Sequence, residues 1–309
     1  MRVHRFQFIH LGCFLTAMIP FPVLSSQDEQ GVWIDSHIHL FDPGIEDFPF
    51  PPKQWEAIHS PHLPETFRNI SSKSGIDKGI VIEASPRGID NDWTLKLIEN
   101  EPDLLGFVGH LDLKDDDFIS ELRRLAKHPK FLGFRQRSSE NPPFDRPDVL
   151  EKLGAVEELN LVFEVNLGKY PVAELSKIAE RFPELRIVID HLGHVNLPAA
   201  QDAEFIRERF KGLGRFPNVY CKLSAFYTLS RQKPVPTTYA DYKAILEPIL
   251  EEFGPDRILF GSNWPVSSLH GAYEPLIKIM KDFCEKHPEL STDLIFRENT
   301  VRAYFGEKE

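Results

Sequence analysis

From Val32 onward the chain alternates short apolar runs, rich in Val, Ile, Leu and Phe, with longer amphipathic stretches. That is the pattern of strands alternating with helices. Eight runs can be counted: Trp33 to Leu40, Gly79 to Ala84, Leu105 to Leu113, Phe131 to Arg137, Leu161 to Leu167, Arg186 to Leu192, Val219 to Ala225 and Arg257 to Ser262. Between them the periodicity predicts helices over Asp92 to Asn100, Phe118 to His128, Asp148 to Leu159, Val172 to Arg181, Glu204 to Leu213, Tyr239 to Phe253 and Tyr273 to Lys286. Eight βα units predict a closed barrel, an α/β fold of the (β/α)8 TIM-barrel type in a single domain. The alternative is an open doubly wound sheet, but the first run is not followed by the Gly-rich fingerprint that would support it.

A parallel barrel concentrates its chemistry at the C-terminal ends of its strands, and all eight runs end in polar side chains. The first ends in His37 and His39, the second in Glu83, the third in Asp112 and the fourth in Arg135 and Arg137. The fifth carries Glu164 and Asn166, the sixth Asp190 and His191, the seventh Lys222 and Ser224, and the eighth Ser262 and Asn263. Taken singly, each reads as a layer-capping polar residue or an ion-pair partner; convergence from eight strands is what favours a site. Two histidines two apart on a strand share a face and can present two nitrogens to one metal ion or one substrate. By the same alternation Asp190 points away from His191 and reads as structural, while Asp35 shares the histidines' face at a deeper level.

Length and composition fit a chain with ample core. Its formal charge of -11 leaves no basic footprint for nucleic acid and argues against an anionic membrane surface. Cys13, Cys221 and Cys284 are too few and too scattered for a disulfide framework or a zinc ribbon, and Cys221 reads as core. The first residues differ from the rest: Arg2, His4 and Arg5 precede an apolar stretch from Leu11 to Leu24, then Ser25 and Ser26. Residues 1–26 read as a secretory signal peptide, which makes secretion the expectation; if the leader is not a signal, the expectation is cytoplasmic. Two loops are placed to cover a barrel mouth: Asp42 to Leu63, rich in proline and aromatics, and Ser230 to Thr238.

Several segments in order, namely Ile34-Asp35-Ser36-His37-Ile38-His39-Leu40-Phe41-Asp42, Gly133-Phe134-Arg135, Asp190-His191-Leu192-Gly193, Val219 to Ser224 and Leu259 to Pro265, make residues 32–306 resemble the amidohydrolase superfamily. The likeness is to its lactonase branch, which includes 2-pyrone-4,6-dicarboxylate lactonase and L-fuconolactonase. The resemblance implies a hydrolase that opens a lactone by water attack, with His37, His39, His191 and the residue at 263 around the ester carbonyl. It also implies a small-molecule substrate; oligomeric state is left open. The family commonly has aspartate where this chain has Asn263, and an amide has no titratable proton near neutral pH, so it can orient but not act as base. His191 leads the remaining candidates for the base, ahead of Asp35, Glu83 and Asp112.

Arg135 is the expected carbonyl donor, with Glu83, Lys222, Ser224 and Trp264 as substrate-binding candidates. His37, His39 and His191 are also the metal candidates, three nitrogens that suit one zinc or manganese ion. The fifth run has no lysine to bridge two metals, and the expectation leans to no required metal. Two alternatives stand beside lactone hydrolysis: a metal-dependent decarboxylase of the same superfamily, and a non-catalytic ligand-binding barrel that has lost its base at Asn263.

Overall fold

The computed structural model describes residues 31–137, 141–168, 172–194, 203–230 and 232–306, so the leader expected at 1–26 lies outside the described residues. Eight strands, β1 (Ile34–Ile38), β2 (Lys78–Ile82), β3 (Leu104–His110), β4 (Phe131–Gln136), β5 (Val162–Val165), β6 (Arg186–Ile189), β7 (Val219–Leu223) and β8 (Ile258–Phe260), pair in parallel in chain order. The ring is closed by a parallel bridge between Ile38 and Trp264. Beside it the His39 N–H donates to Trp264 O at 2.8 Å and the Asn263 N–H to His37 O at 2.9 Å. The closing seam therefore runs through residues expected in the site.

The surrounding helices are α1 (Pro64–Ser71), α2 (Asp90–Ile98), α3 (Phe118–Leu125), α4 (Pro147–Glu158), α5 (Val172–Arg181), α6 (Ala203–Phe210), the short α7 (Phe226–Leu229), α8 (Tyr239–Phe253), α9 (Glu274–Lys286) and α10 (Asn299–Phe305). The expected single (β/α)8 barrel is the observed fold. Among the described residues, no helix is long and apolar enough to cross a membrane.

Two apolar layers hold it together, as the strands' period of two requires. Phe131, Phe163, Ile187, Ile189, Cys221 and Phe260 face the helices. Ile34, Ile80, Leu132, Val162, Val188, Tyr220 and Leu259 fill the barrel together with Ala303 and Tyr304. Cys221 is fully buried in the helix-facing layer, as read from the sequence. Helix α10 thus closes the barrel floor from below, and its Tyr304 hydroxyl donates to Glu164 Oε2 at 2.6 Å.

One step further along the inward faces, the residue type changes from aliphatic or aromatic to charged: Val162 is followed by Glu164, Val188 by Asp190 and Tyr220 by Lys222. Seven of the eight apolar runs overshoot their strands by two or more residues at the C-terminal end, most clearly at β3 and β6. These overshoots are the turns that carry the polar groups.

Candidate active site

Three of the turns, those after β6, β7 and β8, hold non-glycine residues in the left-handed region: His191 (φ 53°), Leu192 (φ 53°), Ala225 (φ 60°) and Asn263 (φ 60°). Such conformations cost about 1–3 kcal/mol each and gather where function fixes them. At β6 the consequence is direct. The strand ends at Ile189, the chain turns sharply, and both Asp190 and His191 enter the barrel mouth.

This corrects the expectation for Asp190, which assumed a regular strand through His191. Asp190 is wholly buried, with Oδ1 3.3 Å from His37 Nδ1 and 3.3 Å from Lys222 Nζ, and Oδ2 3.4 Å from Arg135 Nη1. Asp35 is corrected in the opposite sense. Its Oδ1 accepts the N–H groups of His37 (3.0 Å) and Ser262 (2.9 Å), and its Oδ2 accepts the Tyr273 hydroxyl (2.9 Å), so it fastens β1 to the turn after β8. Burial pushes its carboxyl up to about 6 against those hydrogen bonds.

Around this frame the histidines form a directed chain. His39 Nδ1 lies 3.0 Å from Ile82 O, which only accepts, so Nδ1 carries the proton and Nε2 the lone pair. His37 Nε2 is 3.3 Å from His39 Nε2, and Asn263 Oδ1 is 3.1 Å from it. Two acceptors cannot face each other, so the amide is oriented with Nδ2 toward His39 and Oδ1 toward the Thr228 hydroxyl, and the one lone pair of His39 Nε2 is shared between the Asn263 and His37 N–H groups. The His191 ring lies 4.5 Å from that of His37, with Nδ1 2.8 Å from Ser224 Oγ. The close approach of β8 to His37 needs a glycine, because a Cβ on Gly261 would sit 2.6 Å from His37 Cβ.

The expected cation groups are present but engaged. Arg135 donates through Nε to Glu83 Oε1 (2.8 Å) and through Nη2 to Glu83 O (2.9 Å), while Arg137 donates to the other Glu83 oxygen. Burial would raise the Glu83 carboxyl, but Arg135 and Arg137 more than offset it and hold it below the usual range. Lys222 pairs with Glu164 Oε1 at 2.8 Å. Ser224 bonds His191, as described. Trp264 is 3 % exposed and packs outside the barrel on His62 (ring centroids 5.3 Å) and Phe67 (5.6 Å). Trp264 therefore does not line the mouth as a substrate-binding residue; the ring near His39 is Phe50, 6.4 Å away, in the loop that continues through Trp55 to Ile58.

Sequence reasoning named Glu164 at a strand end without assigning it a role, and it passed over His110, Thr228 and Tyr304. A lone acid within Val162–Val165 was a usable signal. His110 ends β3 with its Nδ1 buried and without a hydrogen bond.

Burial lowers His37 and His191 well below their ordinary range and His39 to about 4. A lowered folded pKa means that the unfolded chain binds the proton more tightly. The stability linked to these rings is therefore complete above about 6.5 and is lost as pH falls toward about 4. The thermal midpoint of the wild type is expected to drop more steeply over that window than that of His39→Gln; parallel pH profiles would contradict it.

His37, Asp190 and His191 are a cluster that could hold a metal ion, their ligand atoms all within 4.8 Å of one another. Two imidazoles and a carboxylate suit zinc or manganese. The fit fails on charge, however, because the Lys222 ammonium already stands 3.2 Å from His37 Nδ1 and 3.3 Å from Asp190 Oδ1.

The amidohydrolase family model matches residues 34–306. An L-fucono-1,5-lactonase from Burkholderia ambifaria is 28% identical over 243 residues, covering 78% of this chain and 82% of that protein. A 2-pyrone-4,6-dicarboxylate hydrolase from Comamonas testosteroni is 24% identical and covers 89% of this chain and 90% of its own. Among solved structures, an amidohydrolase from Burkholderia multivorans with bound zinc superposes with a TM-score of 0.78 at 22% identity, covering 89% of this chain and 99% of that one, a likeness of fold.

Proposed function

Because the chain belongs to the amidohydrolase family, we propose that it is a hydrolase that opens a lactone ring by attack of water. The observation that carries this reading is the convergence of His37, His39, His191 and Asn263 at the C-terminal mouth of the barrel. Relatives named for lactone hydrolysis support it.

In this mechanism Ser224 Oγ, which accepts the His191 backbone N–H at 3.2 Å, also accepts from Nδ1–H. That tautomer leaves Nε2 with a lone pair, and this nitrogen takes the proton of the attacking water and returns it to the ring oxygen as the acyl–oxygen bond breaks. The low proton affinity that burial gives His191 makes it a weak base but keeps it neutral and ready at neutral pH. Asn263 orients the water or the carbonyl oxygen through its amide. The His37 Nε2–H, which faces the His39 lone pair in the free site, becomes the polarising donor for the carbonyl when the substrate oxygen takes that place.

The charge balance narrows the lactone. Arg135, Arg137 and Lys222 each already face Glu83, Glu164 or Asp190, so their charge is largely spent within the protein rather than held for a dicarboxylate. The site suits an uncharged, hydroxyl-bearing sugar lactone.

A panel of sugar lactones and aromatic dicarboxylate lactones, run with and without chelator, tests this. Hydrolysis of a neutral sugar lactone is expected, lowered about 10²-fold or more by His191→Ala and by His37→Ala. Ligand binding without turnover across the panel would favour the non-catalytic barrel, and release of carbon dioxide would favour the decarboxylase.

A further inference from the structure

The deepest ionic feature of the barrel is a lysine surrounded by groups that elsewhere bind metals. Lys222 has no exposed surface. Its Nζ stands 2.8 Å from Glu164 Oε1, 3.3 Å from Asp190 Oδ1 and 3.2 Å from His37 Nδ1, and 5.5 Å from the centre of the Tyr304 ring. An ammonium has three N–H donors and no acceptor, and here three acceptors surround it, two of them carboxylates. The carboxylate oxygens lack other hydrogen bonds: Glu164 Oε1 and Asp190 Oδ1 are both buried without one of good geometry.

We propose that Lys222 is the resident cation of this site, seated against Glu164, Asp190 and His37 where a divalent ion would otherwise bind, and that it sets the tautomer of His37. The inference is independent of which substrate the barrel takes. Two anions and an imidazole lone pair form a donor set that calls for a positive charge, and Lys222 supplies it covalently. A metal ion sits about 2.0–2.2 Å from such ligands, which would bring it against the ammonium.

The direction of the hydrogen bonds follows. His39 donates through Nδ1 to Ile82 O and so offers a lone pair at Nε2, which makes the facing His37 Nε2 the protonated nitrogen; His37 Nδ1 then accepts from Lys222 at 3.2 Å rather than donating to Asp190 Oδ1 at 3.3 Å. With its Nε2 protonated, His37 cannot pair that nitrogen with His39 as a metal ligand. Lys222 is thus a positioning residue, acting through His37 rather than on substrate.

The test compares the wild type with Lys222→Met, similar in size and uncharged. Both are incubated with excess zinc or manganese, desalted, and analysed for bound metal and for thermal midpoint with and without the ion. The wild type is expected to hold well under one equivalent and to show no metal-dependent midpoint. Lys222→Met is expected to hold about one equivalent, to gain stability from it, and to lose both in the double variant Lys222→Met/Asp190→Asn. If Lys222→Met folds only when a divalent ion is in the refolding buffer, that also supports the proposal. A stoichiometric ion in the wild type would overturn it, as would a Lys222→Met chain that the ion neither binds nor rescues. The nitrogen-15 spectrum of histidine-labelled wild type, assigned with His37→Gln, reads the tautomer directly; an Nδ1–H signal for His37 would overturn the second half.

Discussion

Replacing Arg135 by alanine is expected to cost about 3–5 kcal/mol of folding stability, because it strands buried carboxylates without their counter-charge. The guanidinium holds Glu83 through two nitrogens and reaches Asp190 through a third, and the side chains of all three are at most 8 % exposed. Arg137 would remain on one Glu83 oxygen, but the other would lose its only side-chain partner among the described residues. Urea denaturation checks this through a lower midpoint at an unchanged slope. Arg135→Lys keeps the charge but not the planar fork, and an intermediate midpoint is expected. An Arg135→Ala protein as stable as the wild type, yet inactive, would instead return Arg135 to the carbonyl-donor role that its sequence position suggests.

Why the sequence places Arg135 at the mouth yet does not reveal its partners has a physical basis. Periodicity carries the barrel: each apolar run encloses one strand except at single boundary residues, and Tyr239–Phe253 was located as a helix from end to end. Burial on both faces makes parallel strands read as continuous apolar runs, so the first charged residue after each run marks the mouth. Which side chains meet there depends on the turns, and alternation stops being informative where the strand stops.

Asp190 shows this most clearly. Two neighbours on a regular strand diverge, but a positive φ at His191 brings both to the same cavity. Partnerships are less legible still. Nothing in the pattern around Tyr304 says that a C-terminal helix will reach the barrel floor to meet Glu164, and a charge count cannot tell a cation awaiting substrate from one already engaged. His110 was hidden by Asp112, two residues on, which carries the more familiar catalytic side chain but lies partly exposed beyond the strand.

The position that most controls the chemistry is 263, and Asn263→Asp is expected to raise lactone hydrolysis by about 10²–10⁴, the usual worth of a well-placed general base. The described carboxylates of the mouth are otherwise engaged: Glu83 is bound by Arg135 and Arg137, Asp190 by Lys222 and Arg135, Glu164 by Lys222 and Tyr304, Asp112 accepts from the Lys114 N–H and Gln136 and faces the Lys114 ammonium, and Asp35 lies outside the barrel. The native chain is left with an imidazole whose basicity burial has lowered. A carboxylate at 263 would occupy the place of the amide, about 3.1 Å from His39 Nε2, and could take the water's proton and return it to the leaving oxygen. The pH–rate profile separates the outcomes. In Asn263→Asp the rate should rise with pH through a carboxyl pKa, whereas in the wild type it should follow the histidines. A large loss of activity on the same substitution would show that the amide's own hydrogen bonds, to His39 and Thr228, belong to a working mechanism in which charge at this position is harmful. Activity absent from both forms, with binding retained, would identify the barrel as a ligand-binding protein that has lost more than its base.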